Sequence, residues 1–492
     1  MLLRLCREGP PRNQRGLAAD IKLIWDYSRA QPLVTNAAAG PAQLEACAAF
    51  VSRWLEANTD TNGPAWSCAM DIAIRAVNWI FADVLFQGQL AEKVGREIWD
   101  ASLWRHGWLI WRRLEARLVG SNHYLSNLLG LLVIGSVFPE EPRARFWAHF
   151  AHREFSRALL TQTRPDGGLH EASLRYHAFV TEMALLFRLA QNSAFPAAAE
   201  KRLSDMCQIV ADFRDASGDV FALGDDDSGR VLAVDFASPL GRAEILLRLA
   251  SSLLQRRFES RAEGVYRDSG WWVRRTADFT AVMEFGGVGL CGRGGHAHND
   301  DLSFCLDWGG KPVIVDPGSF LYTSDRDARN RFRSTFAHNT LVVDGQEQRE
   351  LIAEPFSLVG SDQAFAAKQL EPAVWEFFRP LAGGVTHRRA IEVRRQEISI
   401  RDLLEGTGSH ELKWHFHLHP SVKPRLESQG FELTVPGVGT LTLSSPSNGL
   451  ALEILPAEYA PEYGHNQPTL ACSASWRGPL PISLQWEIRP VS

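Results

Sequence analysis

Polar residues crowd one stretch of the chain where packing would favour apolar ones: Gly294-Gly295-His296-Ala297-His298-Asn299-Asp300-Asp301. Two imidazoles two positions apart share a face if the stretch is a strand. Asp316 follows in Val315-Asp316-Pro317-Gly318, and His338 in Phe336-Ala337-His338-Asn339-Thr340. A His…Asp…His set offers the nitrogen and oxygen donors that zinc or manganese accepts. The separation is too long for one local loop, so strands must converge to assemble the set. The plain alternative, a polar loop of turns and caps, accounts poorly for so much imidazole and carboxylate together.

Weaker signals surround it. Ser121-Asn122-His123-Tyr124, with Asn127, precedes an apolar run from Leu125. It reads first as a helix cap and second as a carboxylate site at a positive helix end. Asp166-Gly167-Gly168 makes a turn ahead of a helix expected to carry Glu171, Ser173, Tyr176 and His177. Tyr beside His is often a half-buried hydrogen-bonded pair, but in a cleft a Tyr serves as acid or base when a cation lowers its pKa. His415, His417 and His419 fall on one face of an expected strand, which looks metal-like, but no carboxylate sits at a comparable local position, so they read first as facing solvent or the other domain. The acidic run Gly224-Asp225-Asp226-Asp227-Ser228-Gly229 reads first as a structural turn or cap, then as a cation or cleft loop.

Two kinds of element must position these groups. Apolar residues recur every three to four positions over 44–55, 70–85, 101–118, 125–134, 144–160, 171–189, 197–213 and 239–255, which predicts helices. Near Glu263 the period changes to short alternating or β-branched runs such as 271–275, 279–285, 302–308, 398–404, 412–419 and 482–488, separated by Gly, Pro and Asn turns. Strands at this spacing predict an antiparallel sandwich.

The chain has 492 residues, with 52 Lys+Arg against 57 Asp+Glu, a net charge of -5. At about 100–200 residues per domain this allows several domains; the change of period reduces them to two, 1–262 and 263–492. With 45% hydrophobic and 22% charged residues the chain is not mainly disordered. Its mild acidity argues against a nucleic-acid partner, so any polyanion must be met by a local set of donors. Seven scattered cysteines without a CxxC pair read as free thiols. Residues 1–6 are apolar apart from Arg4 and give way at once to Arg7 and Glu8, so no signal peptide is expected; the chain as written reads as cytoplasmic, or periplasmic or secreted if an upstream export segment is missing. The run 128–138 is far below the roughly 20 residues that span a bilayer. Sixteen Trp against 7 Tyr fit large helical cores or a sugar-stacking cleft.

Taken together, 294–300, 315–318 and 333–345 resemble the heparinase II/III-like polysaccharide lyase superfamily. In the helical half the resemblance rests on 20–26 with Ser28-Arg29, Trp66-Ser67, 70–75, Asn78-Trp79 and 121–124. It implies an incomplete (α/α) toroid followed by an antiparallel β-sandwich, with a cleft between them. The implied chemistry is β-elimination at a uronic acid of an anionic polysaccharide, where neutralising the substrate carboxylate stabilises the enolate-like charge that develops when C5 loses its proton. By that resemblance Asn122 and His123 face the carboxylate. Tyr176 is the base and also the acid for the departing O4, and His296 is a second proton-transfer or charge-stabilising group. His298, Asp316 and His338 hold a divalent metal, zinc ahead of manganese or calcium, which shapes the cleft. Asn299, Arg329, Arg333 and Glu171 are assigned to substrate. The expected partner is an anionic poly- or oligosaccharide, with no membrane span and with a homo-oligomer compatible.

Two other readings compete. A glycoside hydrolase would draw its acid/base pair from Asp166, Glu171 and Asp226. A non-catalytic exopolysaccharide-binding or assembly protein would need none of these. The joint presence of Asn122, His123, Tyr176 and His296 ranks elimination above both.

Overall fold

The computed structural model describes residues 20–234 and 238–491. Residues 1–6, weighed above as a leader, lie outside them. Two compact units are present. One comprises the chain up to Thr163 with Ala178–Cys207 and Gly229–Arg257; the other comprises Arg164–His177, Gln208–Ser228 and Phe258–Ser492. The first strand begins at Glu263.

The helical unit is the toroid. Asp20 caps its first described helix, Ile21–Ser28, by accepting the Lys22 N–H at 3.0 Å. Pro32 and Pro142 open the helices Pro32–Ala38 and Pro142–Gln162, where a missing N–H is harmless. Helices Ala69–Leu85 and Asn122–Val137 are largely buried; the second is apolar nearly all round, whereas the first also buries Asp71, Arg75 and Asn78. Gly130 permits their close approach: a Cβ there would lie 2.7 Å from that of Ala73. Part of the Trp excess is core. Trp54, Trp66 and Trp79 meet edge-on around His106, and the Arg75 guanidinium lies 4.2 Å from the Trp54 ring centre. The helix expected over 101–118 ends at Arg112. Beyond it the Glu115 N–H is taken by Asn127 Oδ1 at 2.9 Å instead of by a helical carbonyl.

Among its described residues the second unit has seventeen strands. In chain order they begin with β1 Glu263–Tyr266, β2 Trp271–Arg275, β3 Phe279–Glu284, β4 Phe304–Trp308, β5 Lys311–Ile314 and β6 Leu341–Val343. Then come β7 Ala367–Glu371, β8 Val374–Pro380, β9 Thr386–Arg394, β10 Glu397–Glu405, β11 Ser409–His417 and β12 Lys423–Glu427. The last are β13 Gly430–Val435, β14 Gly439–Ser444, β15 Ala451–Glu462, β16 His465–Pro479 and β17 Ile482–Pro490. They form a meander β1-β2-β3-β4-β5, an eight-stranded sheet β12-β13-β14-β17-β10-β9-β8-β7 and a four-stranded sheet β15-β16-β11-β6. All pairings within them are antiparallel. One apolar core joins the three sheets, with Trp272, Phe304, Trp414, Phe416 and Trp486 among its largest members. Alternate inward-facing residues of the strands supply it, as a sandwich requires.

A buried ionic bracket ties this core to the loops above it. Asp402 accepts from Arg389 Nε at 2.7 Å, His387 Nε2 at 2.7 Å and Trp414 Nε1 at 2.8 Å. Arg389 in turn donates to the carbonyls of Leu302 and Asn339. Among the described residues the cysteines are free, buried except for Cys291. No described helix is long and apolar enough to cross a membrane.

Candidate active site

Asp225 organises the site. Gly224 takes a positive φ of 70°, and a Cβ there would come within 2.5 Å of the Ala172 carbonyl oxygen and 2.8 Å of that of His296. The missing side chain lets the Asp225 N–H donate to the His296 carbonyl at 2.9 Å. The Asp225 carboxylate is fully buried and receives Arg329 in a two-pronged pair, with Nη2 to Oδ2 at 2.8 Å. His296 Nδ1 meets Oδ2 at 3.0 Å, and His298 Nε2 and the Ser319 hydroxyl meet Oδ1 at 2.8 and 3.0 Å. Burial works to raise this carboxyl. Arg329 and the two imidazoles overcome it and hold it well below the carboxylate range. The acidic run 224–229, read above as structural first, therefore supplies the centre of the constellation.

His296 is held from both ring nitrogens. Its Nε2 lies 3.3 Å from Glu171 Oε2, opposite the Asp225 contact. Burial alone would depress the imidazole, but the two carboxylates hold its pKa at about 9. The ring stacks on Tyr176 at 3.8 Å between centroids. Tyr176 stands in the first turn of the helix Leu174–Ala190, its N–H donating to Ser173 Oγ at 3.2 Å. Burial, reinforced by the Asp227 and Asp225 charges, keeps the phenol proton on to well above its usual pKa. Two expectations are corrected here. Glu171 precedes this helix instead of riding on it, and the conditional strand face of His296 and His298 does not arise because residues 296–298 are loop. Both imidazoles nonetheless converge, on the two oxygens of Asp225.

The His298–Asp316–His338 set assembles. Its potential donor atoms all lie within 4.8 Å of one another, and all three residues are buried. Asp316 follows β5, and His338 precedes β6. Asn339 fixes their relation. Its amide donates to the Phe304 and Val315 carbonyls at 2.9 Å each, and its oxygen accepts the His417 N–H at 2.6 Å. His338 Nδ1 meets Asp316 Oδ2 at 2.9 Å. His298 Nδ1 and His338 Nε2 are buried without a hydrogen-bond partner. Orphaned imidazole nitrogens beside a carboxylate fit a divalent cation better than they fit a closed core.

In the helical unit, Asn122 and His123 occupy the first turn of Asn122–Val137. Ser121 is the N-cap residue and makes no side-chain cap bond. His123 Nδ1 faces Glu115 Oε1 at 2.8 Å. Glu115 Oε2 also receives the Asn127 amide at 3.2 Å.

The heparinase II/III-like C-terminal family matches residues 260–487, and the heparinase II/III N-terminus matches 114–225. The chain belongs to the heparinase II/III-like superfamily. It is a polysaccharide lyase, an enzyme of the carbon–oxygen lyase class. The crystal structure of heparinase III superposes with a TM-score of 0.76 at 15% identity, covering 96% of this chain and 78% of that one. Heparan sulfate lyase HepC from Pedobacter heparinus superposes with a TM-score of 0.64 at 16% identity, covering 96% and 77%. No curated protein matches the sequence.

Other residues of this heparinase II/III-like chain take quieter places. Arg329 is bound to Asp225. Arg333 is buried and donates to the carbonyls of Ile352, Glu354, Pro355 and Ser357. Asn299 gives its amide to Glu347 Oε2 and to the Arg349 carbonyl, both at 2.8 Å. His415 and His417 are buried rather than solvent-facing, and burial depresses them to about 3 and about 4, so they stay neutral. The carboxylates of the hydrolase reading are otherwise engaged. Asp166 spends both oxygens on the Gly168, Asp268 and Ser269 N–H groups and the Ser269 hydroxyl. Asp226 faces the Arg175 guanidinium at 3.5 Å.

Proposed function

We propose that this lyase cleaves a uronate-bearing glycosaminoglycan by β-elimination, leaving an unsaturated uronate at the new non-reducing end. The observation that carries the reading is the Tyr176–His296 stack, with the imidazole clamped between Asp225 and Glu171. Elimination removes the C5 proton, forms the C4–C5 double bond and breaks the C4–O4 bond, after which O4 takes a proton. A phenol can perform both transfers, accepting from C5 as phenolate and returning the proton to O4. In the free protein Tyr176 keeps its proton, so base action requires that proton to pass to solvent as substrate binds, before the phenolate takes the C5 proton. The imidazolium stacked on the ring is the charge that favours the phenolate. Asn122 and His123 are assigned the substrate carboxylate, which must be neutralised for C5 to ionise.

His298, Asp316 and His338 would hold the divalent metal, which supplies a fixed positive charge that braces the loop carrying His296. The neighbours of this fold, heparinase III and a heparan sulfate lyase, support an acidic glycosaminoglycan as the substrate class.

The test is a panel of heparin, heparan sulfate, hyaluronan, chondroitin, alginate and bacterial exopolysaccharides, read for the ultraviolet absorbance of unsaturated uronate. The expected result is growth of that chromophore with at least one uronate polymer. Reducing ends released without it would rule out elimination.

A further inference from the structure

The helical unit carries a second cluster of metal-binding residue types. Cys68 is the N-cap position of the helix Ala69–Leu85. Its Sγ lies 4.0 Å from His123 Nδ1, and His123 Nδ1 lies 2.8 Å from Glu115 Oε1. One potential ligand atom from each of the three residues lies within 4.8 Å of the others. We infer that Cys68, Glu115 and His123 form a site for a thiolate-accepting divalent cation of the zinc type. This goes beyond the lyase reading and does not depend on it.

Four observations support the site. First, the donor set is chemically selective. Thiolate, imidazole and carboxylate suit zinc or cobalt, whereas calcium and magnesium prefer all-oxygen shells. Second, the spacing is close to what the ion needs. Tetrahedral zinc, at about 2.3 Å from sulfur and about 2.0 Å from nitrogen, places the two about 3.6 Å apart, so small side-chain shifts suffice.

Third, the Asp71 carboxylate beside the thiol is fully buried and incompletely satisfied. Its Oδ1 accepts Arg29 Nε at 2.6 Å, while Oδ2 has no hydrogen-bond partner. Arg29 compensates one oxygen of this carboxylate; the other, beside the thiol and a second carboxylate, is a cost that a further cation would relieve. Fourth, the cluster is braced and reachable. Glu115 Oε2 is fixed by the Met70 N–H and the Asn127 amide, both at 3.2 Å. The His123 side chain is 36% exposed, which gives an ion a route from solvent.

Without a cation, burial and then the Asp71 and Glu115 charges push the Cys68 thiol well above its usual range, while the Asp71 N–H pulls the other way. A divalent ion would turn both carboxylates from opponents of the thiolate into its partners. Nδ1 is the His123 nitrogen that faces both Cys68 Sγ and Glu115 Oε1, so it is the one that would bind.

Cobalt distinguishes this site from His298–Asp316–His338, which contains no sulfur. Full-length protein stripped with chelator is titrated with Co²⁺ and read for thiolate-to-cobalt charge-transfer absorbance and for bound equivalents. The expected result is a charge-transfer band saturating at one equivalent, lost together with that equivalent in Cys68→Ser and retained in His338→Ala. His123→Gln, at a partly exposed position, should weaken the band's midpoint at least tenfold and guards against misfolding of the cysteine variant. Absence of the band in the wild type, or its survival in Cys68→Ser, overturns the inference; survival would assign it to another thiol such as the exposed Cys291.

Discussion

The Tyr176 phenol and the His296 imidazole lie face to face, with centroids 3.8 Å apart and planes 23° from parallel. The histidine is held protonated near neutral pH by Asp225 and Glu171. A buried tyrosine therefore has a cation against its face and two aspartates, Asp225 and Asp227, acting to keep its proton on. Tyr176→Phe preserves the ring and the stack and removes only the hydroxyl. It is expected to lower turnover by roughly 10²–10⁴-fold or more, since one residue serves as both base and acid. Circular dichroism and the melting temperature should stay near wild type. Retained activity would move the proton transfers to another group.

Asp225 joins Arg329, His296 and His298 in one buried network. Asp225→Ala leaves the Arg329 guanidinium buried without its counter-ion, a change worth about 3–5 kcal/mol. The variant should melt well below wild type and lose activity together with stability. A variant that loses activity at unchanged stability would show that the network is not holding the fold.

His298, Asp316 and His338 predict a metal equivalent independent of Cys68. Elemental analysis of His338→Ala should show one bound divalent ion fewer than wild type. Stripping the wild type with chelator should lower its melting temperature, because an ion bound only by the folded state stabilises it. An identical metal content in His338→Ala would remove the site.

Much of this arrangement was legible from residue types, and the failures have physical causes. The change of period near Glu263 marks the first strand because helix and sandwich bury different repeats. β2 was predicted residue for residue because its short β-branched and aromatic run is bounded by turns. β15 and β16 were missed: they are long, mostly half-exposed strands containing Pro456, Pro468 and several charges, so the clean alternation of a buried face is absent. The His…Asp…His set was visible because metal chemistry restricts residue type. Asp225 was underrated because its partners lie 71 and 104 positions away. An aspartate in a Gly-flanked turn looks the same in sequence whether it caps a loop or centres a site. The glycine at 224, required by the close approach of two carbonyls, was the available hint.

Arg333 separates positioning from substrate contact. Its guanidinium donates to four backbone carbonyls between Ile352 and Ser357, and burial lowers its pKa to about 10. Arg333→Lys keeps the charge but cannot reproduce the planar fork. It should destabilise the protein by about 1–3 kcal/mol, through donors and acceptors left unpaired, while KM for the glycan changes less than twofold. A raised KM at unchanged stability would instead mark direct substrate contact.

His415 makes a prediction about pH. It lies buried in β11 with Nε2 unpartnered. Burial first, then the neighbouring His417 and Lys413, depresses it to about 3. The unfolded imidazole titrates near 6.5, so between roughly pH 6.5 and 3 the unfolded chain binds a proton that the folded chain refuses. The contribution of His415 to stability is therefore complete above about pH 6.5 and falls as the solution is acidified. The limiting slope for one proton is about 1.4 kcal/mol per pH unit. His415→Gln removes that proton from the balance. Urea midpoints measured between pH 7 and 4.5 should fall less steeply for the variant than for wild type. His417, depressed to about 4 by burial, leaves a residual slope in both. Equal slopes would mean that His415 takes up its proton in the folded state as readily as in the unfolded one, against its buried place in the strand.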